Sequence, residues 1–545
     1  MSAFEERKST IPNGSSVEEL INQLVTKNRP GMQAGENGRL GYANTGSKCL
    51  DLFSLPARAI YPKQVSKAVF NQLSQEKCNE IVHLFVNAYK EDQTVALQVM
   101  MNYRDRTGKQ EKDIPRFMMT ELKRQCPMTY IANLMLFVEQ GYLKDLCWLF
   151  KNTMNVKNLA LGIEAKIIAT LIKADTDVLV ANASLTPDEK KKQKQKISLI
   201  GKWAPREGQQ YTEFAKAIAI EMFPNIQNMN QKLGMYRKAC SALNKELNTF
   251  EINMSNKDYE NITIAHIPAT ALKKTRDAIQ KHMSEKYTKF MSRCRSGEIK
   301  IKTMGIQPHE LYRDILSTCS GAEQAELQLN EIVRKLRESG LFKNTLAVSD
   351  VSGSMRGTPM DVSITLGYIL SQLQEGHYKN KVITFHKNPT IHILTGKTTS
   401  AKLRSLQCAP WGGNTDFIKV FNMLLIDAKT NKVNEENRLE KIIVFTDMQF
   451  DAAQRGVGQY QTAYEKIKTK YESKGFKLPQ IVFWNLRSTT VSVPVTKNTP
   501  GVALMNGFSS EMLKVFMESG EITPYQIMMK AISKYQVVTL GEEMP

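Results

Sequence analysis

The chain has few cysteines, and none of them has a paired spacing. Its eight cysteines are scattered through 545 residues, with no C-x-x-C pair and no histidine at zinc-ligand spacing. Zinc-binding and disulfide-stapled folds depend on such pairs. We therefore exclude those two classes and expect reduced thiols, as in an intracellular protein.

Long apolar runs are also missing. The first eight residues, Met-Ser-Ala-Phe-Glu-Glu-Arg-Lys, contain no apolar signal segment, and no uncharged apolar stretch is long enough to span a bilayer. We expect no contact with a membrane. The predicted location is the cytoplasm, with the nucleus or a virion as alternatives.

The common signatures of enzymes are absent. The sequence contains no P-loop, no G-x-G-x-x-G after a strand, no H-E-x-x-H and no G-x-S-x-G. His266, His282 and His309 have no acid or nucleophile at a recognisable spacing, so packing or surface roles are favoured over catalysis. We predict that the protein is not an enzyme.

Positive charge is in excess. The formal net charge is +20, with 50 basic and 37 acidic residues up to Gly340 and 24 against 17 after it. Such charge attracts polyanions and steers their association. Nucleic acid is the natural candidate partner, and a generally basic proteome is the competing explanation.

Three segments differ in their apolar pattern. Residues 1–45 form a polar, glycine-rich lead-in. From 46 to 340, apolar residues recur every three or four positions without a self-similar period, which predicts irregular helical repeats. From 341 to 545, short β-rich runs alternate with helical segments, which predicts a mostly parallel sheet covered on both faces. The predicted strands are 345–349, 381–385, 391–394, 441–446 and 480–484.

Oxygen-bearing side chains follow two of these strands. A D-x-S-x-S motif begins at Asp350, Asp447 ends a second buried run, and Thr415 lies in a glycine turn between them. Ligand sites of open α/β sheets lie beyond the carboxyl ends of the strands. Hard oxygens with only two carboxylates suit Mg²⁺ or another divalent cation. The predicted ligands are Asp350, Ser352, Ser354, Thr415 and Asp447.

The order of these motifs resembles the metal-ion-dependent adhesion site of von Willebrand A domains. The resemblance implies a doubly wound α/β fold for 341–545. It also implies a protein partner whose carboxylate completes the shell of the cation. Alone, D-x-S-x-S is equally typical of a helix-capping loop, because Asp and Ser are preferred capping residues.

Several phrases of the helical half resemble a family that joins a helical region to an A domain in plants, microbes and large DNA viruses. The phrases lie at 45–51, 102–109, 141–146, 202–206 and 236–238. This architecture is similar to the Ro autoantigen and its TROVE module. That similarity implies HEAT-like repeats that close a ring against the A domain and bind structured or single-stranded RNA.

Two basic clusters favour RNA as a partner. Residues 190–206 hold seven basic side chains and no acid, and residues 272–302 hold ten basic against three acidic. Lysine and arginine neutralise phosphates, and an aromatic ring can stack on a base. A solvated lysine-rich surface is the alternative, above all for 190–196. The predicted RNA-binding residues are Arg104, Arg106, Lys109, Lys202, Trp203, Arg206, Arg237, Lys273, Lys274 and Arg276.

Two functions are therefore expected from the sequence. The first is a non-enzymatic, Ro-like RNA-binding ring or scaffold that carries a divalent cation in its A domain. The second is a structural or protein-interaction component, of a viral particle for example, that binds a carboxylate of its partner through the cation.

Overall fold

The structure of the chain is a computed structural model. It describes residues 32–34, 40–56, 67–153, 162–182, 186, 189, 197–208, 210–317, 321–339, 344–350, 352–385, 389–409, 417–435, 438–448, 467–487, 493–516 and 522–545. Most of the predicted lead-in lies outside these ranges. Within it, β1 (Met32–Ala34) and β2 (Leu40–Tyr42) pair in antiparallel fashion.

Helices dominate the first part of the chain, as predicted. They are α1 Lys48–Ser54, α2 Lys67–Glu91, α3 Gln93–Arg104, α4 Asp113–Gln125, α5 Pro127–Gln140, α6 Lys144–Thr153, α7 Ile163–Ala181, α8 Ile200–Trp203, α9 Thr212–Met222, α10 Met229–Leu247, α11 Phe250–Ser255, α12 Ala269–His282, α13 Ser284–Arg295, α14 Pro308–Leu316 and α15 Ala322–Glu338. No helix among the described residues is both long enough and apolar enough to cross a membrane.

Side-chain caps fix the starts of several helices. Asp92 accepts a hydrogen bond from the Val95 N–H at 2.9 Å at the start of α3. Ser47 accepts one from the Leu50 N–H at 3.3 Å at the start of α1. Caps of this kind satisfy N–H groups that the first turn leaves without a partner. The phrase at 45–51 therefore has a local structural role.

The second part of the chain contains a six-stranded sheet. Its strands are β3 Thr345–Asp350, β4 Lys381–Phe385, β5 Thr390–Ile393, β6 Lys441–Thr446, β7 Gln480–Asn485 and β8 Val502–Asn506. The spatial order is β5-β4-β3-β6-β7-β8, and every pair is parallel except β4 with β5. The five predicted strands are present, and β8 is an additional strand. An α/β unit therefore follows the helical region.

Helices cover the sheet and explain its apolar strands. Among them α16 Thr358–Leu373 contacts β3, β4 and β6, and α19 Pro524–Ile532 contacts β8. Two further helices of this part are α17 Thr399–Gln407 and α18 Phe417–Thr430. All residues of β3 and β6 are buried, as expected for central strands with both faces covered. At Gly367 of α16 an added Cβ atom would lie 2.6 Å from the Ser349 Oγ atom. Glycine therefore allows α16 to approach β3 closely.

Both ends of the helical region pack on this α/β unit. At one end α14 and α15 contact α16 and α17, and Arg313 donates to the Asp361 carboxylate at 2.6 Å. At the other end α1 contacts β8, and α3 contacts α19. The first and the last helices of the region are thus held by the same unit.

Residues 533–545 tie the two parts together along α3 and α5. The Asn133 side chain donates to the Val538 carbonyl at 2.7 Å and accepts from its N–H at 2.9 Å. The Glu542 carboxylate accepts hydrogen bonds from the N–H groups of Met128 and Thr129, in the first turn of α5. An acid is favourable at a helix amino terminus because of the helix dipole.

The phrase at 102–109 forms a junction between the two parts. The Lys109 side chain is fully buried and donates to the Phe53 carbonyl and to Oδ1 of Asn506, which ends β8. Burial lowers the pKa of Lys109 well below its usual value. The amine also lies over the rings of Phe53 and Tyr103, 3.7 Å and 4.0 Å from their centres. Lys109 therefore connects the helical region to the sheet.

Candidate metal centre and basic aromatic surface

The two predicted acids lie side by side at the carboxyl edge of the central strands. β3 ends at Asp350 and β6 ends at Thr446, and Ser349 lies opposite Phe445 in the parallel register. The Thr446 hydroxyl donates to Asp350 Oδ2 at 2.8 Å. Asp447 follows at the next position. The strand order reverses direction between β3 and β6, which is where open α/β sheets bind their ligands.

The two predicted serines follow β3 in a tight turn. The Ser352 N–H donates to Asp350 Oδ1 at 2.9 Å, and the Oγ atoms of Ser352 and Ser354 are 3.0 Å apart. Ser352 precedes the short 3₁₀ turn Gly353–Met355 but makes no capping hydrogen bond with its side chain. Capping by the Ser352 side chain therefore does not account for this turn, and the Ser352 hydroxyl is close both to Asp350 and to the Ser354 hydroxyl.

Two buried acids and one arginine lie at this edge of the sheet. Asp350 is 1% exposed and Asp447 is fully buried. Burial and, after it, the neighbouring Asp447 charge raise the pKa of Asp350 to about 6. The guanidinium of Arg487 lies 4.0 Å from Asp447 Oδ2. Two acids and two hydroxyls, all hard oxygen donors, are thus brought to one edge of the sheet.

Thr415, the fifth predicted ligand, lies outside the described residues. The structure adds Thr446 and Asn485, which sequence analysis missed. Asn485 is fully buried and ends β7 directly opposite Thr446. Both could have been found from the sequence, because each is a polar residue at the end of an apolar run. Within the described part of the chain there is no group of three or more His, Cys, Asp or Glu side chains that could hold a metal.

Two of the predicted RNA-binding residues are inaccessible. Arg104 is 1% exposed, and its guanidinium donates to the Asp145 carboxylate at 2.8 Å. Lys109 is buried at the junction described above. A phosphate cannot reach either side chain, so the prediction is wrong for Arg104 and Lys109. Charge in a sequence does not reveal burial, because paired or hydrogen-bonded bases are tolerated inside a core.

Three other candidates lie at the surface of the helical region. Arg106 is exposed, and its guanidinium lies 5.8 Å from the centre of the Tyr142 ring. Trp203 is half-buried, with the Lys202 amine 4.9 Å from its ring. Lys202 also pairs with Glu251 at 2.7 Å. These residues stay candidates for RNA binding.

Arg206 and Arg237 are engaged with neighbouring groups. Arg206 is half-buried and donates to the Gly201 carbonyl at 3.2 Å. Arg237 is exposed and pairs with Glu207 at 2.8 Å. An ion pair at the surface stabilises little, so Arg237 can exchange Glu207 for a phosphate at small cost.

The candidates on α12 lie among acids. Lys273 pairs with Asp314 at 3.0 Å, and Arg276 with Asp277 at 3.1 Å, whereas Lys274 is exposed. In the folded protein the acids beside this cluster therefore offset more of its positive charge than the sequence suggests. The lysine run at 190–196 lies outside the described residues.

A strip of cations and aromatic rings follows one face of α6. We call it the α6 strip; it consists of Arg116, Lys144, Trp148, Lys151, Trp203 and Tyr211. Lys144, Trp148 and Lys151 are spaced by four and three residues and share one face. The cations lie 5.5 Å (Arg116 over Trp148), 4.4 Å (Lys144 over Trp203) and 5.9 Å (Lys151 over Tyr211) from the ring centres. Sequence analysis found only Trp203 of this strip.

Fold and site together define a protein in which a helical region is joined to an α/β unit with a polar site at the carboxyl edge of its sheet. The chain belongs to the family described as Domain of unknown function (DUF2828), whose model matches residues 35–177 and 163–342. A second model, Domain of unknown function (DUF7788), matches residues 344–539. The two matched segments thus meet between residues 342 and 344.

A viral relative is similar over nearly the whole chain. The chain is 32% identical over 529 residues to the uncharacterized protein L728 of Acanthamoeba polyphaga mimivirus. The matched region covers 92% of this chain and 87% of the viral protein. The predicted kinship with a family found in large DNA viruses is therefore confirmed.

Proposed function

We propose that this protein binds RNA without catalysing a reaction, as a Ro-like scaffold in which HEAT-like helices close against a von Willebrand A-like domain. Two features support this architecture. The strand order, with one antiparallel edge strand, is that of a doubly wound sheet. Both ends of the helical region pack on that sheet and its helices.

The α6 strip is the observation that carries the proposal. Lys144 and Lys151 are exposed, and neither forms an ion pair with an acid among the described residues. Their amines lie over aromatic rings instead, so each base that stacks on the strip also meets a cation. Stacking on an aromatic ring contributes about 1–3 kcal/mol per base and tolerates any sequence. The expected ligand of the strip is therefore an unpaired single strand, which we propose is RNA.

Two variants separate the charge and stacking contributions. Lys144→Gln combined with Lys151→Gln should make the negative slope of log K against log salt shallower by about 1.4, since each phosphate contact on a single strand contributes about 0.7. Trp203→Ala should weaken binding by about 1–3 kcal/mol and leave that slope unchanged. The measurement is fluorescence anisotropy of a labelled oligouridylate over a range of salt concentrations.

The matched control for this measurement is Lys429→Gln with Lys432→Gln, which removes the same charge from exposed positions of the α/β unit. This control should retain the wild-type slope. A wild-type slope near zero, or equal losses in both double variants, would refute RNA binding by the α6 strip.

We further propose that Asp350, Ser352, Ser354, Thr415 and Asp447 hold one divalent cation, Mg²⁺ by preference. The donors whose positions the structure describes fit such an ion, because they are hard oxygens with two carboxylates among them. Adjacent buried acids are costly without a compensating cation. Bound there, the cation supplies a positive charge that can hold an anionic group of a partner.

The same edge supports a second candidate function. A structural or protein-interaction component, of a viral particle for example, would bind a carboxylate of its partner through the cation. Purification from the native source separates the two functions. A partner that is lost with a chelator and retained after nuclease favours the second candidate, whereas a defined RNA that is lost with nuclease favours the first.

A further inference from the structure

A row of buried polar residues crosses one face of the sheet at its carboxyl edge. The parallel register places Thr446 opposite Asn485, and Asn485 opposite Asn506. The Thr446 hydroxyl in turn donates to Asp350. Neighbouring strands are about 4.8 Å apart, so Asn485 lies one strand beyond the candidate cation site.

Half of the Asn485 amide has no hydrogen-bond partner within the part of the chain that the structure describes. Its Oδ1 atom accepts a hydrogen bond from the Arg487 N–H at 3.0 Å, which fixes the orientation of the amide. Its Nδ2 atom is buried and has no acceptor among the described residues. A buried donor without a partner costs about 1–3 kcal/mol. The Asn485 Nδ2 group is therefore available to donate a hydrogen bond to an oxygen of a ligand.

The Arg487 side chain lies beside the same site. It is 44% exposed, and its Nη1 atom is 4.0 Å from Asp447 Oδ2. This distance is too long for a hydrogen bond, so the pair is held by charge alone. A guanidinium has five N–H donors in a fixed fork that fits the oxygens of an anion. Arg487 can therefore turn its fork towards an anion without breaking a hydrogen bond to Asp447.

We infer that Asn485 and Arg487 form an oxyanion subsite that binds a phosphate group next to the cation. The inference rests on the proposed cation at Asp350 and Asp447. With a divalent cation bound, the two acids are neutralised and the Arg487 charge is in excess, so an anion completes the site. The proposed subsite then has three groups of positive character: the cation, the guanidinium and the amide N–H.

The different directions of these groups favour phosphate over carboxylate. A planar carboxylate has about four acceptor sites that all lie near one plane, so it meets the cation, Arg487 and the Asn485 amide together only when they lie near that plane. A tetrahedral phosphate presents oxygens in further directions and can meet all three. The phosphate can belong to a nucleic acid backbone, as a diester, or to a phosphomonoester.

Calorimetric titration of the full chain tests this inference. Mg²⁺ is titrated first, and then inorganic phosphate, dimethyl phosphate or acetate is titrated in saturating Mg²⁺. Wild-type protein should bind phosphate only with Mg²⁺ present. Arg487→Gln should weaken that binding by about tenfold or more, the effect of losing one charge-assisted hydrogen bond. Arg487→Lys should give an intermediate loss, because it retains the charge without the fork.

The control is Lys474→Gln, which removes a charge from an exposed residue shortly before β7, at the opposite edge of the sheet. It should bind like wild type. Preference for dimethyl phosphate identifies a diester as the ligand, and preference for inorganic phosphate identifies a monoester. Stronger binding of acetate than of either phosphate overturns the inference and favours a carboxylate.

Failure of this inference differs from failure of the cation site. If wild-type protein binds no Mg²⁺, the proposed cation site is wrong and the subsite falls with it. If Mg²⁺ binds but Arg487→Gln and wild type bind phosphate equally, the subsite alone is wrong. Arg487→Gln should itself bind Mg²⁺ at least as tightly as wild type, because the substitution removes a like charge near the cation.

Discussion

Asp350→Asn is expected to weaken Mg²⁺ binding by more than about 100-fold, since loss of a partner outside the coordination shell already costs 10- to 100-fold. Asparagine retains an oxygen for the Ser352 N–H, so the turn after β3 should persist. The variant should therefore fold. Its loss of affinity then reports on the removed charge and not on a collapsed site.

Thermal unfolding with and without Mg²⁺ measures the effect. A cation at about 100 times its Kd stabilises the folded protein by about 2.7 kcal/mol, and this gain should vanish in Asp350→Asn. In chelator the variant should melt at or above the wild-type temperature, because burial and Asp447 both disfavour the Asp350 charge.

Asp175→Asn is the matched control. Asp175 is also buried, 5% exposed, but lies in the helical region, where it accepts hydrogen bonds from Ser198. Its response to Mg²⁺ should equal that of wild type. An Asp350→Asn protein that still gains stability from Mg²⁺ would place the cation elsewhere.

Asp145→Ala is expected to lower the free energy of unfolding of the helical region by about 3–5 kcal/mol, the range for removing one partner of a buried ion pair. The Asp145 carboxylate accepts from Arg104 at 2.8 Å, from Arg116 at 2.7 Å and from the Tyr142 N–H at 3.1 Å. Without it the buried Arg104 charge has lost its carboxylate. Urea unfolding followed by circular dichroism measures the loss.

Asp113→Ala controls for the loss of an acid near Arg116. The Asp113 side chain is 69% exposed and lies 3.6 Å from the guanidinium, so this variant should lose no more than about 1 kcal/mol. Equal losses in the two variants would mean that the buried network around Asp145 contributes nothing beyond an exposed pair.

The central strands of the sheet could be predicted from the sequence, whereas β8 could not. The runs 345–349 and 441–446 are apolar because both faces of a central parallel strand are covered. β8 is a five-residue run between a glycine turn and Gly507, without a helical segment of clear period before it. A short apolar run of this kind does not by itself distinguish strand from helix.

The basic residues show where sequence reasoning fails. Arg104 and Lys109 belong to the phrase at 102–109, whose resemblance to a TROVE segment suggested a surface for phosphates. The structure buries both, one against Asp145 and the other between the helical region and Asn506. Trp148 and Lys151 were not predicted, and Lys144 belongs only to the phrase at 141–146, because an isolated lysine is typical of any helix surface. Their proposed role in RNA binding depends on the rings of Trp203 and Tyr211, which α8 and the loop before α9 place beside the two lysines.

The sequence by itself determined the order of a helical region and an α/β unit, together with the oxygen-bearing residues at the ends of two strands. These features are local, because they follow from apolar period and from the residue after a strand. Only the tertiary structure decided which charges are buried, which cations meet aromatic rings and which buried amide lacks an acceptor among the described residues. Those facts depend on contacts between residues far apart in the chain, and a linear pattern does not record them.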